Sequence, residues 1–186
     1  MIYQISSLLL EVFLVLIGGA CLIRCYMGFF YIDLGRAAGY QISGYLHSLT
    51  NWIILPLRQV LPSFGRFDLA SFLAAYLIAL IQVGTLWFLS GANNAVSYVF
   101  IQSLFEIVNL FLSGVIGAIF ASILLSWFAA SSMAYYFLSA LTEPLLKPIR
   151  NTLPKLGMLD LSPLALLIAI QILQVVLANV QSMVLR

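Results

Sequence analysis

Charge is scarce in this chain. Only 8% of its 186 residues are Asp, Glu, Lys or Arg, against roughly 25% in an average soluble domain. So few charges cannot cover a water-facing surface. With 63% of the residues hydrophobic, a bilayer is the natural solvent. The net charge of +2 is too small to suggest nucleic-acid binding. Histidine and cysteine are as sparse. His47 has no companion for a metal ion. Cys21 and Cys25 stand at i and i+4 inside an apolar run, so they read as small core hydrophobes and not as a redox or metal pair. No serine, cysteine or histidine has the partners a nucleophilic site needs. No glycine loop of the phosphate-cradling type is present either. The expectation is a protein that is not an enzyme, with no cofactor and no metal. The first residues carry no positive charge and no Ala-X-Ala site follows, so no cleavable signal peptide is expected.

What polar character exists is concentrated in one stretch, Thr142 to Pro163, and in a degenerate copy 92 residues upstream. Leu49, Thr50, Pro56, Arg58, Leu61, Pro62, Gly65, Asp68 and Leu69 match Leu141, Thr142, Pro148, Arg150, Leu153, Pro154, Gly157, Asp160 and Leu161. That is 9 identities in 21 ungapped positions. Chance explains leucine on leucine; it does not easily explain two prolines, an arginine, a glycine and an aspartate in one register. The same offset places Gln82 on Gln174. Ahead of the motif, Gly28-Phe29-Phe30 aligns with Ser126-Trp127-Phe128, with a connection six residues shorter.

Four apolar segments are expected to span, over about residues 7–32, 69–89, 104–130 and 164–184. Residues 40–55 and 135–146 are more polar and read as amphipathic segments at the interface, with Tyr45 and Trp52 at headgroup depth. The fold class is therefore an all-α membrane protein with four transmembrane helices. They form two parallel two-span repeats, residues 1–90 and 91–186, within a single membrane domain. Each repeat is a span, an interfacial segment, a proline-rich elbow and a second span. An even number of spans per repeat makes the copies parallel, not inverted.

Asp33, Gly35, Arg36 and Gly39 mark the exit of the first span, and Ser90, Gly91, Asn93 and Asn94 a turn. Pro144 and Pro148 remove backbone donors and disfavour a continuous helix. Gly157 suits a turn with positive φ, and Asp160 or Ser162 ahead of Pro163 suits a helix start. The elbow belongs in water or headgroups, because broken backbone hydrogen bonds are costly in hydrocarbon. Arg58 and Arg150 either snorkel to phosphates or pair across the elbow with Asp68 and Asp160.

Arg24, Glu11, Glu106 and Asn109 are the polar groups within or near spans that a transport role would use. No carboxylate cluster or broken mid-span helix accompanies them. Gln82 and Gln174 are suited to hydrogen bonds between helices. Gly114, Ala118, Ser122 and Ser126, spaced by four, form a small-residue ridge suited to close packing on another membrane helix or a second copy. The stretches 33–68 and 129–161 hold Arg36, Arg58, Arg66, Lys147, Arg150 and Lys155, whereas outside them only Arg186 lies in a tail or loop. The positive-inside rule puts both motif loops in the cytoplasm and both termini in the periplasm.

Leu141-Thr-Glu-Pro-Leu-Leu-Lys-Pro-Ile-Arg150, with Leu153-Pro154, Gly157, Asp160-Leu-Ser-Pro163 and the Ser126-Trp127-Phe128 span ending, resembles the YggT family of small bacterial membrane proteins, which has relatives in cyanobacteria and plastids. The two-copy form resembles the proteobacterial branch. The resemblance implies a bacterial inner-membrane location and a role in osmotic-stress tolerance or cation homeostasis. Relatives with one copy look linked to assembly, nucleoid or division functions, so a scaffold or a small channel are the alternatives. The first copy departs from the pattern: Asn51-Trp52 stands for Glu143-Pro144, Leu55 for Lys147, and Ala70-Ser71 for Ser162-Pro163. The C-terminal copy is thus the better candidate to engage a partner.

Overall fold

The computed structural model describes residues 2–32, 38–61, 67–91, 95–152 and 160–185. Several expected turn residues lie outside these: Asp33, Gly35, Arg36, Pro62, Gly65, Arg66, Asn93, Asn94, Pro154, Lys155 and Gly157. The fold is all-α. Its helices are α1 (Ile2–Phe13), α2 (Gly19–Phe30), α3 (Ala38–Val60), α4 (Leu69–Leu89), α5 (Val96–Phe128), α6 (Met133–Thr152) and α7 (Ser162–Val184). Among the described residues, four stretches are long and apolar enough to cross a bilayer: Gln4–Phe30, Leu69–Leu89, Val96–Phe128 and Ser162–Val184. A membrane is their solvent, and the chain is a membrane-embedded protein.

Three features differ from expectation. The first span is not one uniform α-helix. Between α1 and α2, Leu14–Gly18 forms a π-helical stretch, a widening that side-chain periodicity does not reveal. A Cβ on Gly18 would stand 3.1 Å from Leu14 Cδ1, a tight contact, and 3.5 Å from Leu110 Cδ2 of α5, an ordinary one, so the glycine chiefly relieves crowding by Leu14 within the same span. The span ends at Tyr31, which takes a left-handed conformation (φ 50°), and the Ile32 N–H closes onto the Met27 carbonyl.

The third span starts at Val96, eight residues before the expected Leu104. At 33 residues it is about 50 Å long, well beyond the roughly 30 Å hydrocarbon thickness. Residues 96–103, ahead of the expected start, are part of the same helix. Gln102 Nε2 donates to Glu106 Oε1 at 3.0 Å.

The prolines do not break the helices. Pro56 lies inside α3, and Pro144 and Pro148 lie inside α6, which continues to Thr152. An interior proline costs about 3 kcal/mol in a helix because it frees a carbonyl and crowds the preceding turn. Two things offset this. Pro56 and Pro148 are on the exposed sides of their helices, so their rings do not crowd the packed core. The buried face is also strongly held: Ile54 is fully buried, and Leu141, Thr142 and Leu146 are buried in α6. Segments 40–55 and 135–146 are thus parts of continuous amphipathic helices, and any elbow comes after them.

Among the described residues the core has two centres. One gathers Leu14, Cys21, Leu22, Ile54 and Ile107 around the α4 residues Ala70, Ala74, Ala75, Ile78 and Ala79. In lipid the apolar surfaces of two helices gain little by meeting, so close approach through small residues supplies the attraction. The alanine face of α4 does this, packing on α2 and on α5. The other centre joins Leu112 and Ile119 of α5 to Leu146 of α6 and to Leu166 and Ile170 of α7.

Candidate functional site

The candidate residues of the two motif copies meet at two helix junctions. At the α6–α7 junction, Arg150 Nε donates to Asp160 Oδ2 at 2.7 Å. Its Nη1 reaches both oxygens of Glu143, each at 3.0 Å. Glu143 and Arg150 are seven residues apart, two turns of α6, so they share a face. Asp160 also accepts from the Ser162 N–H at 2.9 Å, at the start of α7, where Pro163 follows. The Ser162 hydrogen bond holds the Asp160 carboxyl below its ordinary range; slight burial opposes this, and the Ser162 N–H and Arg150 reinforce it. Burial lowers the affinity of Arg150 for its proton, but Asp160 and Glu143 more than restore it. Lys147 and Pro148 are exposed on α6 and Pro144 is half-buried.

At the α3–α4 junction, an Arg58 guanidinium nitrogen donates to Asp68 Oδ2. Asp68 caps α4: Oδ1 accepts from the Ser71 N–H at 3.3 Å, and Oδ2 accepts from the Ser71 hydroxyl at 2.7 Å. Burial pushes the Asp68 carboxyl up, but the Ser71 hydroxyl, Arg58 and the Ser71 N–H outweigh it and hold the group low. Both arginines of the motif therefore spend their donors on an aspartate ten residues on, and pairing is the alternative the structure adopts.

Arg24 sits above this junction in α2. Its Nη1 donates to Thr50 Oγ1 at 3.0 Å and to Asn51 Oδ1 at 2.8 Å. Thr50 is fully buried, and its own hydroxyl donates to the Leu46 carbonyl at 2.6 Å. Glu11 is exposed, far along the first span from Arg24.

A polar ladder joins α5 to α7. Gln174 Nε2 donates to Asn109 Oδ1 at 3.2 Å and to Ser113 Oγ at 3.0 Å. One rung away, Gln181 Nε2 donates to Gln102 Oε1 at 2.8 Å, and Gln102 donates to Glu106. Asn109 and Ser113 are exposed. Gln174 thus makes the expected bond between helices, but Gln82 does not. Gln82 is 8% exposed, and its Oε1 has no partner among the described residues.

The two ends of the small-residue ridge, Gly114 and Ser126, are not in close helix contact among the described residues. Around Gly114 a Cβ would meet nothing within 4 Å, and Ser126 is exposed. Ser122 and Ser126 turn their hydroxyls back to the carbonyls of Ile119 and Ile123. Gly114 and Ala118 instead line an apolar groove of about 500 Å³ between α2, α5 and α6. Near one end of it, Tyr26 donates from its hydroxyl to the Leu141 carbonyl at 2.9 Å, tying α2 to α6. Sequence reasoning missed Tyr26, Gln102 and Gln181. The bonds from Tyr26 to Leu141 and from Gln181 to Gln102 cross 115 and 79 residues, so no local spacing signals them, and only the Gln102–Glu106 contact, four residues apart, had a local signal. Cys21 and Cys25 are buried free thiols, as small core residues should be.

The family model described as CCB3/YggT matches residues 2–89 and 101–181 of this chain. An uncharacterized protein of Pseudomonas aeruginosa is 34% identical over 155 residues, covering 81% of this chain and 79% of that protein. An uncharacterized protein encoded in the proC 3′ region of Vibrio alginolyticus is 32% identical over 146 residues, covering 76% and 78%. The uncharacterized protein YggT of Escherichia coli K12 is 28% identical over 160 residues, covering 86% and 81%. No solved structure matches the chain.

Proposed function

The chain belongs to the CCB3/YggT family, and from that premise we propose a non-enzymatic, multi-pass inner-membrane protein that contributes to osmotic-stress tolerance or cation homeostasis. The physiological role follows from the family resemblance. The observation that carries the non-catalytic part is how the motif charges are spent. Arg58 is committed to Asp68, and Arg150 to Glu143 and Asp160, so these groups lock amphipathic helices to spans. The architecture in this reading is two parallel repeats, residues 1–90 and 91–186. The two ranges matched by the family model and the recurring arginine–aspartate pairs support it. Helices α3 and α6 lie at headgroup depth, where exposed Tyr45, Trp52 and Tyr136 suit the interface.

The charge asymmetry orients the molecule with both junctions in the cytoplasm and both termini in the periplasm. A membrane-impermeant thiol reagent tests this, since the native cysteines are buried. Lys147→Cys, at an exposed position, is expected to react in inverted inner-membrane vesicles and not in spheroplasts. Val96→Cys, at a position 61% exposed, is expected to do the opposite. The reverse pattern inverts the topology.

A second reading, a small ion conductor, is favoured by the polar ladder. Glu106, Asn109 and Gln174 place hydrogen-bonding groups along one face of two spans, and such groups in a membrane are candidates for a pathway. Purified protein in liposomes under a potassium, sodium or proton gradient separates the two readings. The structural reading expects flux no greater than that of empty liposomes. It also expects a strain lacking the chain to grow poorly after osmotic upshift and to recover with the wild-type gene. Flux above background that is lost in Glu106→Gln selects the conductor. Unchanged growth across osmolarities sinks the osmotic role.

A further inference from the structure

The two helix junctions are alike in hydrogen bonding and unequal in charge. At α6–α7 one guanidinium, Arg150, lies between two carboxylates, Glu143 and Asp160. At α3–α4 the position matching Glu143 is Asn51, so only Asp68 remains, and Arg58 holds it. This junction nevertheless has a second guanidinium, Arg24, whose protein partners Thr50 and Asn51 are both neutral. Among the described residues no carboxylate is in ion-pair range of Arg24. Its Nε and Nη2 donors have no protein partner there either. Among the described residues, two cations, Arg24 and Arg58, therefore stand with one anion, Asp68, at this junction. Arg24 stands six residues before the end of α2, roughly 9 Å of helix rise.

The neighbourhood is built for something negative. His47, Asn51 and Arg58 fall along one flank of α3, because spacings of four and seven return to the same side of a helix. Asn51 is the link, hydrogen-bonded to Arg24 on one side and to His47 on the other. Burial first, then the nearby Arg24 and Arg58 charges, depress the basicity of His47 despite its hydrogen bond to Asn51. Arg58 keeps 47% of its side chain exposed, and His47 is exposed, so the flank is open to a ligand. Exposed Tyr45 and Trp52 lie on the same helix, and such residues favour headgroup depth.

We propose that Arg24, held by Asn51, binds the phosphate of an anionic phospholipid, with the half-exposed Arg58 two turns along α3 adding positive charge while it keeps Asp68, so that the lipid supplies the negative charge that Glu143 supplies at the other junction. A guanidinium presents paired donors that fit phosphate oxygens. An uncompensated cation within a span is costly, and anionic lipids are the anions that reach this depth. Basic sites between membrane helices at the cytoplasmic surface hold such headgroups. The inference stands on the membrane-embedded fold and these contacts, and it survives whether or not the osmotic role does.

The test uses the full-length protein in nanodiscs and detergent, with phosphatidylglycerol and phosphatidylcholine of identical acyl chains. Native mass spectrometry is expected to show phosphatidylglycerol retained in preference to phosphatidylcholine. Arg24→Gln should weaken that retention about fivefold, the value of one cation at an anionic surface. Asn51→Glu keeps both arginines and installs the carboxylate of the other junction, so it should abolish the preference while the protein still unfolds cooperatively in phosphatidylcholine. Glu143→Gln should leave retention at the first junction unchanged. Equal retention of both lipids by the wild type, or an undiminished preference in Asn51→Glu, overturns the proposal. Displacement of phosphatidylglycerol by millimolar inorganic phosphate overturns the lipid assignment and makes the site one for soluble phosphate.

Discussion

Replacing Ile54 with alanine is expected to destabilise the protein by about 2–5 kcal/mol, the range for truncating a large aliphatic side chain in a packed core. Ile54 has no exposed surface and sits among Cys21, Leu22, Ala70 and Ala74. Small residues surround it, and helices whose backbones are already close collapse poorly into a new cavity. The same truncation at Leu55, which is 52% exposed, should change stability by no more than about 0.5 kcal/mol. Thermal unfolding of both variants in one detergent gives the comparison. The pair reports on α3 directly. If Leu55→Ala costs as much as Ile54→Ala, the amphipathic helix does not rest on α4 and α2 with this face.

The second large effect is expected at Asp68. Asp68→Ala removes the α4 cap, worth about 0.5–2 kcal/mol, and an exposed-side ion pair worth about 0.2–1 kcal/mol. It also strands the Ser71 hydroxyl, since Ser71 is fully buried and gives both its N–H and its O–H to Asp68. Asp160→Ala should cost less. Asp160 has 42% of its side chain exposed, and Arg150 keeps Glu143 as a partner. Asp68→Asn should fall between wild type and alanine, because an amide oxygen still accepts from Ser71. The pH dependence has a definite sign. The folded chain holds the Asp68 carboxyl below its ordinary value, which is roughly 4. The unfolded chain therefore takes the proton first as pH falls. The contribution is complete above that value and is lost as pH drops through the folded one. Acid unfolding monitored from pH 6 downwards should begin at the same pH in wild type and Asp160→Asn more nearly than in wild type and Asp68→Asn. An Asp68→Ala variant as stable as Asp160→Ala would remove the buried Ser71 hydroxyl from the account.

These residues show where sequence reading reaches its limit. The ten-residue spacing from Arg58 to Asp68 and from Arg150 to Asp160 is visible in the chain. It is compatible both with pairing and with two arginines reaching separately for lipid phosphate. Which occurs depends on how the segment between them turns, a tertiary matter. Pro163 marks the start of α7 correctly, because its preference for the first turn is local chemistry; the N-cap, however, is Leu161, without a side-chain cap, and Asp160 accepts from the Ser162 N–H just ahead of the helix. The prolines misled for the opposite reason. Their cost is local, but burial of Ile54, Leu141 and Leu146 against the bundle is not, and that burial carries α3 and α6 through Pro56, Pro144 and Pro148. Gln82 and Gln174 look equivalent in register. Only Gln174 finds acceptors, because Asn109 and Ser113 happen to face it from α5.

By itself the sequence determined the solvent, the number of spans and the family. Scarce charge, four apolar stretches and a recurring proline–arginine–glycine–aspartate register are properties of composition and short-range order. The tertiary structure decided what each charge does. Arg24 meets Thr50 and Asn51 across 26 and 27 residues, and no periodicity encodes that meeting. Among the described residues, Arg24 and Arg58 with the one carboxylate of Asp68 come together only when α2, α3 and α4 pack, and Arg150 with Glu143 and Asp160 only when α6 meets α7. In a low-dielectric medium such an imbalance is not left to bulk water to screen, and it directs attention from the more regular C-terminal copy to the divergent N-terminal one.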